Sequence, residues 1–450
     1  MNRVGKRAKY LSVLIGIFLL CAAIFISDYA SSAPLWVVHP SNQNIYNNGE
    51  LTVAGSVYSA DGVKLLHSDS NGLAYSDDYY TRLSTLHVIG DKEDNITTGV
   101  LSSKRDKLIG YDLLNGLYGA SSSDNKIDLT INAELSAFAY QALASYDGAL
   151  GIYNYETGEI LTMVSKPSYD PYNVPNLSSD DYDGVFINRV MNGLYVPGSI
   201  MKLVSAYAAI ETIPDIYTQA FDCHGGFEID GEWVKCNGHH GVQTFEQAIA
   251  NSCNSAFAQI TLQLGKDTLS EYAKKAGITS FETIDGVKTS RGRFDVSDAN
   301  QSNLAWAGIG QYTTLVNPMQ YMMFCGAIAN DGILKIPHYI NRKSFLSSFN
   351  LDNSETRLME ATTAEKLTTL MRNNTITTYG DYNFPDLELC AKTGTAEVEI
   401  GAPHSWLVGF SDHPAIPLAF VVIVEHGAGS LEAVSVASSV LGKAAKLMNK

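Results

Sequence analysis

Strand-like sequence stands at both ends of the long C-terminal part of this chain, and that constrains the fold more than any other feature. Near residue 150, ALGIYNY and EILTMVS alternate and cluster β-branched and aromatic residues on either side of a turn rich in Glu, Thr and Gly. More than two hundred residues later AKTGTAEV, HSWLVGFSD and PLAFVVIVEHG repeat the pattern, and the helix-like LEAVSVASSVLGKAAKLMNK follows. The stretch between is largely helical in period. Strands this far apart, with helices between them, predict one α+β domain whose first and last strands share a single antiparallel sheet. Its expected extent is 127–450, beginning with the strand-like DLTI and a helix over Leu135 to Leu143.

The N-terminus sets the location. Arg3, Lys6, Arg7 and Lys9 precede an uncharged apolar run from Leu11 to Ile26, long enough with its flanks to span a bilayer. Basic residues on the near side place residues 1–9 in the cytoplasm, 10–28 in the membrane and the rest outside. The competing reading is a cleaved signal peptide, but Pro34 directly follows the small residues of ASSA and disfavours cutting there. Residues 29–126 are mixed and polar, with short strand-like runs such as ELTVAGSVY, and form a small pedestal domain. The net charge of −16 argues against nucleic acid as a partner.

The chemistry rests on three short motifs. VPGSIMKLV puts Ser199 and Lys202 three apart, on one face of a helix, among apolar neighbours that favour a neutral lysine. NSCNSAF supplies Ser252 and Asn254, and AKTGTAEV supplies Lys392, Thr393, Gly394 and Thr395. Singly, each matches ordinary helix starts and turns. In this order, S-x-x-K, S-x-N and K-T-G form the signature of penicillin-recognising serine enzymes. Acyl transfer needs a nucleophile (Ser199), a base (Lys202), a proton relay (Ser252), a substrate amide contact (Asn254) and a carboxylate clamp (Lys392, Thr393 and Thr395). Gly394 is expected to leave room for substrate along the strand.

These motifs, with RVMNGLYVPGSIMKL, GIGQYTTLVNPMQYMMFCGAIANDGIL and HSWLVGF around them, resemble the transpeptidase domain of class B penicillin-binding proteins, in particular the short Gram-positive and clostridial-type members. TRLSTLHVIGD and GYDLLNGLYG extend the resemblance upstream. It implies the penicillin-binding and serine β-lactamase-like fold, an antiparallel sheet with helices on both sides. It also implies an oxyanion hole from the backbone N–H groups of Ser199 and Thr395, and peptidoglycan D,D-transpeptidase activity inhibited by β-lactams. Expected partners are stem peptides ending in D-Ala-D-Ala, β-lactams and a polytopic membrane glycosyltransferase. The runner-up activity is D-alanyl-D-alanine carboxypeptidase. A non-catalytic cell-wall component is the alternative of a different class, disfavoured because all three motifs are intact.

No cofactor is required for this chemistry, but a metal is suggested beside it. Cys223, Cys236, His239 and His240 cluster shortly before Ser252, in a donor set that suits tetrahedral zinc. The residues alone also allow a Cys223–Cys236 disulfide closing a hairpin around Ile-Asp-Gly, or free thiols beside surface histidines. The clostridial-type resemblance, with which zinc near the active site is associated, favours a structural zinc. Cys325 and Cys390 read as buried free thiols, and Cys21 lies in the membrane segment.

Overall fold

The computed structural model describes residues 2–39, 41–42, 45–47, 50–51, 55–69, 72–113, 116–117, 125–341 and 355–448. Parts of ELTVAGSVY and GYDLLNGLYG, and the end of the last helix-like run, lie outside them. A continuous helix, α1 (Asn2–Val37), contains the apolar run. Among the described residues it alone is long and apolar enough to cross a membrane.

A four-stranded sheet follows, built from β1 (Ser56–Tyr58), β2 (Lys64–Asp69), β3 (Gly72–Tyr75) and β4 (Lys126–Asp128) in the order β3-β2-β1-β4. Helix α2 (Tyr79–Ile89) lies between β3 and β4 in sequence and packs on β2. Strand β4 straddles the expected junction at 126/127 and pairs parallel with β1.

The catalytic-domain expectation about the sheet holds. Helix α3 (Ala133–Ala142) leads into the hairpin β5 (Gly148–Asn154) and β6 (Ile160–Lys166). The late strands are β11 (Leu389–Ala396), β12 (His404–Ser411) and β13 (Leu418–Val424), and the five assemble as β11-β12-β13-β5-β6, antiparallel throughout. Side chains alternate between the two faces, as the pleat requires. Leu150, Ile152, Phe420, Val422 and Val424 face one core with α8 (Leu431–Met448) and α3. Ala149, Tyr153, Ala419, Val421 and Ile423 face the other, which contains α6 (Pro318–Ala329) and α4 (Lys202–Thr212), the helix that follows Ser199. A sheet apolar on both faces must be sandwiched by helices, which explains the continuous hydrophobic run in β13. Strand β11 is left at the edge, where the site is built.

Two of the short antiparallel pairs in the intervening segment lie near the site. In one, β7 (Ala220–Cys223) pairs with β10 (Gly241–Thr244); in the other, β8 (Gly226–Ile229) pairs with β9 (Glu232–Lys235). Helices α5 (Asn254–Lys275) and α7 (Ala361–Asn374) complete the frame around the site.

Candidate active site

The polypeptide approaches Ser199 through a turn that only glycine fits. Gly198 has φ +56°, and a Cβ there would lie within 3.0 Å of the Thr395 carbonyl group. Residues Gly198–Met201 form a 3-10 turn before α4 begins at Lys202. Residues three apart eclipse in such a turn, so Lys202 is stacked on Ser199 with Nζ 3.0 Å from Oγ. Above this turn, Trp406 Nε1 donates to Val196 O at 3.1 Å. Tyr195 OH and Arg189 Nε both donate to Glu425 Oε1, at 2.6 and 2.8 Å, which anchors the approach to the end of β13.

Lys202 is fully buried. Its Nζ donates to Ser252 O at 2.6 Å and to Asn254 Oδ1 at 2.7 Å, and it lies 3.2 Å from Ser252 Oγ. Burial without a paired carboxylate disfavours the ammonium and pulls its pKa down to about 8. Lys392 reaches in from β11, donating to Ser252 Oγ at 2.9 Å. Its pKa is also depressed, first by burial and then by the proximity of Lys202. Ser252 thus bridges two lysines, from a backbone in the left-handed region at φ +50°.

These contacts bring the S-x-x-K, S-x-N and K-T-G residues into one cluster. The Asn254 amide holds Lys202 through Oδ1, while one Nδ2 proton goes to Lys235 O at 2.9 Å; its second N–H is left for a substrate amide. Gly394 is required by packing: a Cβ there would lie 2.7 Å from Pro197 O and 3.1 Å from Ile200 Cγ2, so its absence seats the nucleophile turn on the strand.

Residues 148–446 match the penicillin binding protein transpeptidase domain. This chain belongs to that family. The peptidoglycan D,D-transpeptidase PbpA of Mycolicibacterium smegmatis is similar to it at 25% identity over 484 residues, 96% of each chain. The crystal structure of penicillin-binding protein A from Mycobacterium tuberculosis superposes with TM-score 0.74 and 22% identity, over 88% of this chain and 99% of that one. The penicillin G acyl-enzyme complex of the same protein gives 0.72 and 22%, over 88% and 99%. Both structures share the penicillin-binding fold with this chain.

Beside the family's serine site lies a group of sulfur and nitrogen donors that differs from the sequence expectation. Pairing of Cys223 with Gly241 brings His240 alongside, and Cys236 N donates to Gly225 O at 2.9 Å, folding Cys236 back toward both. Cys223, Cys236, His240 and Cys253 each present one donor atom, all within 4.8 Å of one another. Cys223 Sγ and Cys236 Sγ lie 3.5 and 3.6 Å from His240 Nδ1, and Cys236 Sγ lies 3.7 Å from Cys253 Sγ. His239 stands outside the cluster, its ring packed over Gly225. The fourth donor, Cys253, is the middle residue of S-x-N, and nothing in its sequence spacing links it to the other three. All six cysteines are unbonded thiols, so the Cys223–Cys236 disulfide is not formed. Hydrogen bonding from Cys253 and from nearby backbone N–H groups holds the Cys236 thiol well below its ordinary range, which favours the thiolate a metal needs.

Proposed function

We propose that this chain is a peptidoglycan D,D-transpeptidase, cross-linking stem peptides that end in D-Ala-D-Ala through an acyl-enzyme on Ser199, and that β-lactams acylate the same serine. The observation that carries the assignment is the arrangement around Lys202 Nζ. A neutral amine has two N–H donors and one lone pair. Ser252 O and Asn254 Oδ1, which are acceptors only, take the two N–H groups. The lone pair is left for the Ser199 hydroxyl at 3.0 Å. Lys202 is therefore oriented as a base toward the nucleophile.

The reaction follows from these positions. Ser199 Oγ attacks the carbonyl carbon of the penultimate D-Ala as its proton passes to Lys202. Backbone N–H groups of Ser199 and Thr395 receive the developing oxyanion. The C–N bond breaks, Ser252 Oγ relays a proton to the departing D-Ala amine, and Lys202 re-protonates Ser252. The amine of a second stem peptide then attacks the Ser199 ester and restores the free serine. Lys392, Thr393 and Thr395 hold the terminal carboxylate before it leaves.

Cys223, Cys236, Cys253 and His240 fit a structural zinc. Three sulfurs and one nitrogen are a known zinc donor set, and a tetrahedron with Zn–S bonds of about 2.3 Å has edges of about 3.8 Å, comparable to the 3.7 Å Cys236–Cys253 separation. When bound, the metal would neutralise thiolate charge and cross-link the loop. Cys253 lies between Ser252 and Asn254, so this donor group stiffens the two residues that hold Lys202. The apolar α1 anchors the chain with residues 1–9 in the cytoplasm and the catalytic domain outside, with residues 29–126 as a pedestal. A polytopic membrane glycosyltransferase is the expected membrane partner.

Product analysis tests the activity. A synthetic stem peptide with an acceptor amine should give the cross-linked amide and free D-Ala. Release of D-Ala with hydrolysis alone would replace the assignment with a carboxypeptidase.

A further inference from the structure

Behind the edge strand β11, a hydrogen-bond chain with a fixed direction runs toward the site. Helix α7 ends in a π-helical turn, Thr375–Tyr379, a local geometry that is uncommon and recurs at functional sites. The turn carries Tyr379 to the open edge of β11 and is tied to the S-x-N loop by Thr378 Oγ1, which donates to Ala250 O at 3.1 Å. Asn374, on the last turn of α7, donates through Nδ2 to Ala391 O at 2.7 Å and to Tyr379 OH at 2.8 Å. Thr393 N also donates to Tyr379 OH, at 2.9 Å, and Thr393 Oγ1 lies 2.9 Å from the same phenol oxygen.

Counting protons settles which way these bonds run. Ala391 O is an acceptor only, so the Asn374 amide must turn its nitrogen toward it, and the second proton of that nitrogen goes to Tyr379. Thr393 N–H is a donor only. The phenol oxygen therefore accepts twice, which fills its lone pairs, and its one proton must go to Thr393 Oγ1. Thr393 Oγ1 then accepts from Tyr379, and its own proton is directed away from the phenol. Thr393 is partly exposed and adjoins Lys392, whose Nζ reaches Ser252.

We propose that Tyr379 is a positioning residue that, with Asn374, fixes the Thr393 hydroxyl as a ready donor to the terminal carboxylate of a peptide or β-lactam. The inference rests on the transpeptidase reading, in which Thr393 meets that carboxylate. A hydroxyl already polarised by an incoming hydrogen bond is a stronger donor and needs no reorientation when the anion arrives. The same Tyr379 OH covers the outward N–H of Thr393, so a substrate strand cannot pair with β11 at that point.

The test measures acylation of the full chain in detergent micelles by two probes, penicillin G and its methyl ester, which lacks the negative charge. Tyr379→Phe is expected to lower the second-order acylation rate for penicillin G by about threefold to tenfold, the range for one weakened charge-assisted hydrogen bond, with the ester rate unchanged. Thr393→Val should give the same selectivity, and the double variant no more than the larger single effect. Asn374→Ala frees a lone pair on Tyr379, lets the Thr393 proton turn back, and should shift the ratio in the same direction. That variant carries the test if Tyr379→Phe does not fold. An equal loss on both probes, or no loss on either, overturns the role of Tyr379. Label uptake by Ser199→Ala would instead overturn the underlying site reading.

Discussion

Gly198→Ala isolates the seat of the nucleophile turn, because it adds one methyl group and removes no functional atom. Two costs are written in the structure. The backbone at φ +56° is in the left-handed region, which disfavours alanine by about 1 kcal/mol. The new Cβ would also lie 2.8 Å from the Thr395 carbonyl carbon and 3.1 Å from Ala396 Cα. Relaxing these to an ordinary carbon contact of about 3.7 Å requires the turn and β11 to part by roughly 1 Å. That displacement falls between Ser199 and Thr395, the two residues whose N–H groups are proposed to form the oxyanion hole. A misplacement of about 1 Å costs on the order of a hundredfold in rate, and overpacking adds about 1–3 kcal/mol of destabilisation. The assay is the second-order rate of penicillin acylation, followed by intact mass, beside a melting curve. Gly394→Ala, whose nearest contact is 2.7 Å from Pro197 O, should lose less. Wild-type acylation by Gly198→Ala would refute the claim that this packing sets the geometry of the hole.

Two further outcomes follow from the site. Because burial lowers the Lys202 pKa to about 8, the neutral base is about a tenth of the population at pH 7 and dominates above pH 9. Acylation should rise about tenfold over that interval and then level off, and a flat profile would remove Lys202 as the base. Metal analysis of the purified chain should find one equivalent of zinc, retained in His239→Ala and largely lost in Cys253→Ser with a lower melting temperature, whereas zinc lost equally from both variants would contradict the donor set.

The sheet was legible because β5, β6, β12 and β13 carry their pattern locally: alternation or unbroken apolar runs, bounded by turns. The S-x-x-K and K-T-G residues were legible for a similar reason, each occupying one turn or one strand end. What escaped was set by contacts between distant segments. Cys253 joins Cys223 and Cys236 only because the β7–β10 pair and the start of α5 converge, and no spacing rule connects them. Tyr379 lies on a π-helical turn that no periodicity announces, and its partner Thr393 is on a different element. Gly394 was expected to leave room for substrate, and a second constraint on it, the Pro197 carbonyl 2.7 Å from where its Cβ would be, comes from a distant segment that no local pattern reveals. Asn254 was placed in the site, yet its resting contacts with Lys202 and Lys235 depend on how α5 packs.

The most direct measurement of the central claim is peptide mapping of the full chain after reaction with penicillin G. The expected result is one penicilloyl group on the peptide containing Ser199 and none on the Ser199→Ala variant. A penicilloyl group on any other residue, or stoichiometric labelling of Ser199→Ala, would contradict it.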